Sequence, residues 1–347
     1  MTPPETTPRL GIYVLPGRTT NPATGLDEAR EAERAGFGAV YVSERLDLKE
    51  AAVTCGGLVA VTSRVAVGTA LIHQGTRHPL TIAAMSATLQ TMSGGRFVLG
   101  IGRGLGALTP SLGVPRSTLA SMEHLVTTLR RLWAGDRITE TGPAGSFRGM
   151  RFADIPESAP PVLFGTVGPR GLELAGREFD GVILHPFLTT EAVNRSVTIV
   201  RESAERAGRD PSSLHVITTL VASPDMPSYR TDLAVRSRAV SYFQVRGLGE
   251  QLVEWNGWDP AVLDALRDHP TLSGHGIADT SVTRDGLVAA SESLPDEWFE
   301  AAAAVGTARL CVERGRQYLA AGADEVLIHG ASPTEAAAMV PLWAGES

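Results

Sequence analysis

The chain has 347 residues, 43% of them apolar, a formal net charge of −7 and two cysteines. Its acidic balance argues against non-specific nucleic-acid binding, which needs a basic footprint, and no apolar run approaches the roughly 20 residues of a membrane span. Cys55 and Cys311 are too few for a disulfide framework and lack metal-ligand spacing. Lys49 is the only lysine, so Schiff-base and pyridoxal chemistries have a single candidate residue and are disfavoured.

Residues 1–9 read as a short disordered lead with no signal-peptide pattern, and the expected compartment is the reducing cytoplasm. Leu10–Leu15 reads as a first strand and Gly25–Ala35 as a helix stopped by Gly36. Gly38–Ser43 is a second strand, with Glu44 and Arg45 at its carboxyl end, and Leu48–Thr62 a second helix. The apolar runs Val65–Ile72 and Arg96–Ile101 flank a segment with helical spacing, from Leu80 to Met92. A helix follows over Leu119–Trp133. Ile138–Ile155, alternating on either side of Gly142-Pro143-Ala144-Gly145, predicts an inserted hairpin.

Val162–Thr166 is a fifth strand, and Gly168-Pro169-Arg170-Gly171 opens the next helix with proline in its first turn. Asp180–Leu184 is a sixth strand, followed by His185, then a helix over Glu191–Ala207 and a seventh strand at Leu214–Val221. The beat is lost over 223–304, where helical patches are broken by Trp255–Pro260. It returns with a helix at Ala308–Ala321, a strand at Glu325–His329 and a last helix after Ser332-Pro333. Strands that are apolar almost throughout are parallel strands covered on both faces. Eight strand–helix beats predict one α/β domain over 10–347, a TIM (β/α)8 barrel with insertions after strands 4 and 7.

In such a barrel ligands bind at the carboxyl ends of the strands. The turn at Gly168, Pro169 and Arg170 is therefore a candidate phosphate site, because free N–H groups at a helix start attract an anion and Arg170 can add charge-assisted hydrogen bonds. The alternative is an ordinary turn carrying a surface arginine.

The segments GFGAVYVSERL, LVAVTSRVAVGTALI, RHPLTIAAMSATLQTMSGGRFVLGIGRG and VLFGTVGPRGLELAGREFDGVI resemble the bacterial luciferase-like monooxygenase family, most densely over Leu10–Gly106. The resemblance implies an oxidoreductase holding a flavin-type ring at the carboxyl ends of the strands. A third-strand bulge with a non-prolyl cis bond, here Ala70–Leu71, would buttress the ring. Gly102, Arg103 and Gly104 would admit the ring or its tail. Thr166, Val167, Gly168, Pro169 and Arg170 would hold the phosphate.

Within the family the coenzyme F420 branch is favoured, with FMN as the alternative coenzyme; an FMN enzyme would need a flavin reductase as partner. Glu44 stands where that branch carries an acid and is a candidate proton donor or ring contact; a rim ion pair with Arg45 is the other reading. Arg45 replaces the histidine of the sugar-phosphate dehydrogenases, and no acid stands at Arg103–Gly106, so sugar-phosphate oxidation is disfavoured. His73 is a candidate catalytic group or a bystander, and Arg45 and His185 are candidate substrate contacts, with His329 comparable. No metal is expected. The resemblance further implies a small organic substrate and a homodimer through helices of the first half. Trp255–Pro260 reads as a lid or an oligomer contact. A non-catalytic flavin- or deazaflavin-binding barrel is the competing class.

Overall fold

Eight parallel strands carry the fold: β1 (Leu10–Tyr13), β2 (Ala39–Val42), β3 (Ala66–Thr69), β4 (Phe97–Gly102), β5 (Val162–Thr166), β6 (Gly181–Leu184), β7 (His215–Pro224) and β8 (Glu325–His329). Each pairs with the next, and β8 returns to β1 with Leu10 opposite Val326, so the sheet closes into a barrel. This computed structural model describes residues 10–19, 21–104, 106, 109–153, 155–275 and 277–345; the expected lead at 1–9 lies outside them.

The strands are apolar on both faces because each face has a separate core. Tyr13, Tyr41, Leu163, Ile183, Ile217 and Leu327 fill the barrel interior. Their neighbours along the chain, Ile12, Val40, Phe164, Val182, Val216 and Ile328, pack outward beneath the helices. Among the described residues seven helices of ten or more residues surround the barrel, at Thr24–Ala35, Ala51–Val61, Pro79–Met92, Leu119–Trp133, Pro169–Glu178, Thr190–Arg206 and Ala308–Ala320. Among the described residues no helix is long and apolar enough to cross a membrane.

The main departures from the sequence reading each have a structural reason. The helix expected from Leu48 starts at Ala51, because the Glu50 carboxylate caps it by accepting the Val53 N–H at 2.7 Å. The third strand is not continuous: it stops at Thr69, passes a cis bond at Ala70–Leu71, and resumes as a two-residue strand at Ile72–His73 that pairs with β4. β7 runs to Pro224 rather than Val221, because Ala303–Gly306 adds a parallel edge strand beside its last four residues. The final helix is two short ones, Pro333–Ala336 and Met339–Ala344.

The insertion after β4 is a hairpin, Ile138–Gly142 with Gly145–Met150. The insertion after β7 is a helical layer whose own core holds Phe243, Trp258 and Trp298, the two indoles stacked at 4.4 Å. Trp255–Pro260, read from sequence as a lid or oligomer contact, is fastened to the barrel. The Trp255 indole donates to Ser196 Oγ at 3.0 Å, and the Asn256 amide donates to Phe187 O and accepts the Thr189 N–H.

β3 and β4 approach so closely that a Cβ at Gly100 would lie 1.9 Å from Thr69 O. Thr69 Oγ1 also bonds both Gly100 O and Gly100 N–H, at 2.7 and 3.0 Å. Gly100→Ala is therefore expected to destabilise the fold by about 2–3 kcal/mol, at the upper end of overpacking costs. A lowered denaturant midpoint at unchanged slope is the readout.

Candidate active site

The sequence-derived site residues sit at or just beyond the carboxyl ends of β2 to β6. The register brings several of them abreast: His73 lies opposite Gly102, Gly102 opposite Gly165, and Gly165 opposite Ile183. Two of these glycines are required by the Leu71 side chain. A Cβ at Gly165 would stand 1.8 Å, and one at Gly102 2.9 Å, from Leu71 Cδ1. Gly104, at φ +72°, is required twice over, since its Cβ would stand 1.7 Å from His73 Cδ2.

The interruption of β3 is held by hydrogen bonds from neighbouring strands. The Ala70 N–H donates to Val42 O at 2.9 Å and the Glu44 N–H donates to Leu71 O at 3.2 Å. The Tyr13 hydroxyl, inside the barrel, donates to Ala70 O at 3.0 Å. Tyr13 carried no signal in the sequence beyond its place in a buried strand.

Glu44 has no bond to Arg45. Its side chain is only 4% exposed and forms an ion pair with Arg77, whose guanidinium reaches both carboxylate oxygens and also Glu50. Glu44 Oε2 accepts the His73 N–H as well, at 3.0 Å. These contacts tie Glu44 to Arg77 and to the β3 extension. Sequence reasoning missed Arg77, which lies 33 residues from Glu44 and gains its role only through the barrel. Arg45 instead pairs with Asp47 and with Asp279 of the β7 insertion.

The His73 imidazole has a defined tautomer. Its Nδ1 accepts the Gly75 N–H at 2.8 Å, and a backbone amide can only donate, so in the neutral ring the proton sits on Nε2. Nε2 is buried without a partner. Burial lowers the His73 pKa below that of an ordinary histidine, against the opposing pull of Glu44, so the ring is neutral at neutral pH. Arg103 has no ion-pair partner among the described residues, and burial and then Arg116 hold its pKa below the usual arginine value.

At the end of β5 the helix Pro169–Glu178 starts without a side-chain cap, and Gly168, at φ +88°, has open space above it. The N–H groups of Arg170 and Gly171 precede the first helical bond, Leu172 N–H to Gly168 O, and are orphaned. Thr166 Oγ1, against Gly171, is buried without a partner, and Arg170 is exposed and without an ion pair among the described residues. Val167 packs against the outer core.

On β6, His185 Nδ1 bonds Pro186 O at 2.9 Å, and its ring meets Tyr242 edge-on at 4.7 Å. Burial pushes its pKa down to about 4. His329, ending β8, lies against the Tyr13 ring at 4.2 Å, and its Nε2 faces Arg238 at 2.9 Å. An open surface cleft of about 620 Å³, lined by Arg130, Trp133, Pro160, Pro161 and Asp180, adjoins the start of β5, at the opposite end from these groups. Among the described residues no cluster of three or more His, Cys, Asp or Glu is placed to hold a metal ion.

The orphaned hydroxyl and amides at the Thr166–Gly171 turn, the unpartnered His73 Nε2 and the interrupted β3 fit a coenzyme with a planar ring and an anionic tail. The chain is 29% identical over 237 residues to a 5,10-methylenetetrahydromethanopterin reductase of Methanolobus tindarius, covering 67% of this chain and 71% of that protein. It is 33% identical over 201 residues to an F420-dependent glucose-6-phosphate dehydrogenase of Microbacterium testaceum, covering 53% of this chain and 59% of that protein, so this match spans less than two thirds of the relative's length. The structure of a coenzyme F420-dependent tetrahydromethanopterin reductase from Methanopyrus kandleri superposes with a TM-score of 0.77 over 96% of both chains, at 20% identity, a likeness of fold. The family model for luciferase-like monooxygenases matches residues 7–325, and the chain belongs to that family.

Proposed function

We propose that this chain is an oxidoreductase that uses coenzyme F420 to transfer a hydride between the deazaflavin and a small organic substrate. The observation that carries this reading is the rung from His73 through Gly102 to Gly165, with the interrupted β3 on one side and the uncapped Thr166–Arg170 turn directly after it. Family membership and F420-dependent relatives support the choice of coenzyme. When bound, the deazaflavin supplies a carbon that accepts or donates the hydride.

The chain's own residues divide the remaining work. The Ala70–Leu71 backbone would support one face of the ring, while Gly102 and Gly165 make room for the Leu71 side chain and Gly104 for the His73 ring. Thr166 Oγ1, the N–H groups of Arg170 and Gly171 and the Arg170 guanidinium hold the phosphate, with Arg103 as a second cation near the tail. His73, fixed by Gly75 and by the Glu44 contact to its backbone, offers a neutral N–H. That donor stabilises the negative charge that develops on a substrate oxygen or nitrogen as hydride arrives, and so suits the reducing direction. The absence of both the histidine at position 45 and an acid over 103–106 separates this site from sugar-phosphate oxidation. The free, buried cysteines suit a reducing compartment. A homodimer through the first-half helices is supported by Ala51–Val61, an apolar helix whose Val53 is 78% exposed.

Titrating the purified chain with F420 and with FMN tests the coenzyme. Tight F420 binding with hydride exchange is the expected result; FMN binding with oxygen uptake would replace it by a monooxygenase, and binding without turnover would leave a non-catalytic barrel. Arg170→Ala is expected to weaken F420 about tenfold, as the loss of one charge-assisted contact, with an unchanged melting curve; unchanged affinity removes the phosphate assignment. His73→Ala should lower kcat about a hundredfold while F420 affinity holds, and His73→Gln, which keeps an N–H donor, should recover part of it.

A further inference from the structure

The mouth of the barrel on the β1, β2 and β8 side carries an excess of positive charge, unusual in a chain of net charge −7. Arg238 and Arg284 come from the insertion after β7, and their Nη2 atoms each lie 3.6 Å from the position a Cβ would take on Gly17. Arg284 pairs through its other nitrogen with Asp279 at 2.9 Å, and Asp279 is shared with Arg45 at 2.5 Å. Arg238 has no carboxylate partner among the described residues: its Nη1 donates to His329 Nε2 at 2.9 Å and its Nε to Ala234 O at 3.2 Å. Lys49 is buried beside them and donates to Leu15 O at 2.5 Å, while the Glu28 carboxylate accepts the Leu15 N–H. Four cations therefore face Asp47, Asp279 and Glu28. Burial first, then Arg45 and Arg238, bring the Lys49 pKa down to about 8, as expected in a field of like charge.

A guanidinium with a free, outward edge and no acid to neutralise it is costly in a half-buried place unless an anion completes it. Arg238 is such a group, and Arg284, one of whose nitrogens is taken by Asp279, brings its Nη2 to the same place over Gly17, so the two make a fork for one small anion. The fork adjoins the coenzyme face: Arg238 bonds His329, the His329 ring lies against Tyr13, and Tyr13 bonds the Ala70 carbonyl. Tyr242 adds a hydroxyl 3.4 Å from His329 Nε2.

We propose that Arg238 and Arg284 bind the anionic group of the substrate, a carboxylate or a phosphate monoester, above Gly17 and beside the ring-supporting β3. This rests on the oxidoreductase reading and names the class of substrate it takes. Both arginines come from the insertion after β7.

The test is calorimetric titration of the wild-type chain with inorganic phosphate and, separately, with malonate, each with and without F420. Arg238→Met, Arg284→Met and Arg170→Ala are titrated alongside, and a melting curve checks the folding of each. Wild-type binding of one probe, weakened about tenfold by Arg238→Met and by Arg284→Met, weakened again by salt and untouched by Arg170→Ala, supports the site. The probe that binds distinguishes phosphate from carboxylate. If Arg238→Met fails to fold, Arg284→Met alone decides by the same criterion. No binding, or binding lost only with Arg170→Ala, overturns the proposal. Anion binding with this mutational pattern but no F420 binding keeps the anion site and overturns the coenzyme reading alone.

Discussion

Everything at the rim depends on satisfying the backbone where β3 leaves the ladder. A strand interrupted inside a barrel exposes amide and carbonyl groups that a closed sheet would otherwise pair, and buried unpaired groups of this kind cost about 1–3 kcal/mol each. Here Val42 O takes the Ala70 N–H, the Glu44 N–H serves Leu71 O, Tyr13 reaches Ala70 O, and the Glu44 carboxylate takes the His73 N–H. β1 and β2 thus hold the interruption open, and the chain rejoins β4 only for Ile72–His73. The same bonds fix where His73 stands and what its imidazole can do. A change in Glu44 or Tyr13 would act on the β3 extension through this backbone.

The barrel was largely legible in the sequence because its strands obey a local rule. Val162–Thr166 and Glu325–His329 are short apolar runs between turn residues, and the structure has them with those bounds. Helix Leu119–Trp133 agrees likewise, its start marked by the Thr118 cap. Where the reading failed, the deciding contact was distant. Glu44 was expected either to donate a proton or to pair with its neighbour Arg45; its partner is Arg77, and Arg45 is taken by Asp279, 234 residues away. No pattern within either segment encodes these pairings. β7 was read three residues short because its extension depends on an edge strand eighty residues later, beyond a run of helices.

The histidines show why residue type alone is a weak guide to role. His73, His185 and His329 all end barrel strands, and burial lowers the pKa of each. Their partners separate them. His185 Nδ1 is satisfied by the adjacent carbonyl of Pro186 and its ring is packed by Tyr242. His329 Nε2 is turned toward Arg238, which makes it an acceptor holding a cation in place. His73 has its acceptor nitrogen used by the backbone and its donor nitrogen unpartnered beside the glycine-lined rung, whereas His329, whose Nδ1 is also buried without a partner, gives its acceptor nitrogen to Arg238. Tautomer and partner, set by the fold, distinguish the three.

The division of labour follows from chain order. Residues that fit the coenzyme lie on β3, β4 and β5, the half of the barrel formed from continuous strand–helix beats, where the sequence follows the family pattern. The cations over Gly17 come from the segment where that beat is lost, and they are pinned to the barrel through His329 and Asp279. A helical layer with its own tryptophan core can change its inward-facing side chains without disturbing the sheet, since its stability rests on contacts such as Trp258 on Trp298. The barrel rim, by contrast, tolerates little: Gly100, Gly104 and Gly165 each lack room for a methyl group. The proposed anion fork thus rests on a part of the chain that can vary, and the proposed coenzyme groups on a part held by backbone geometry.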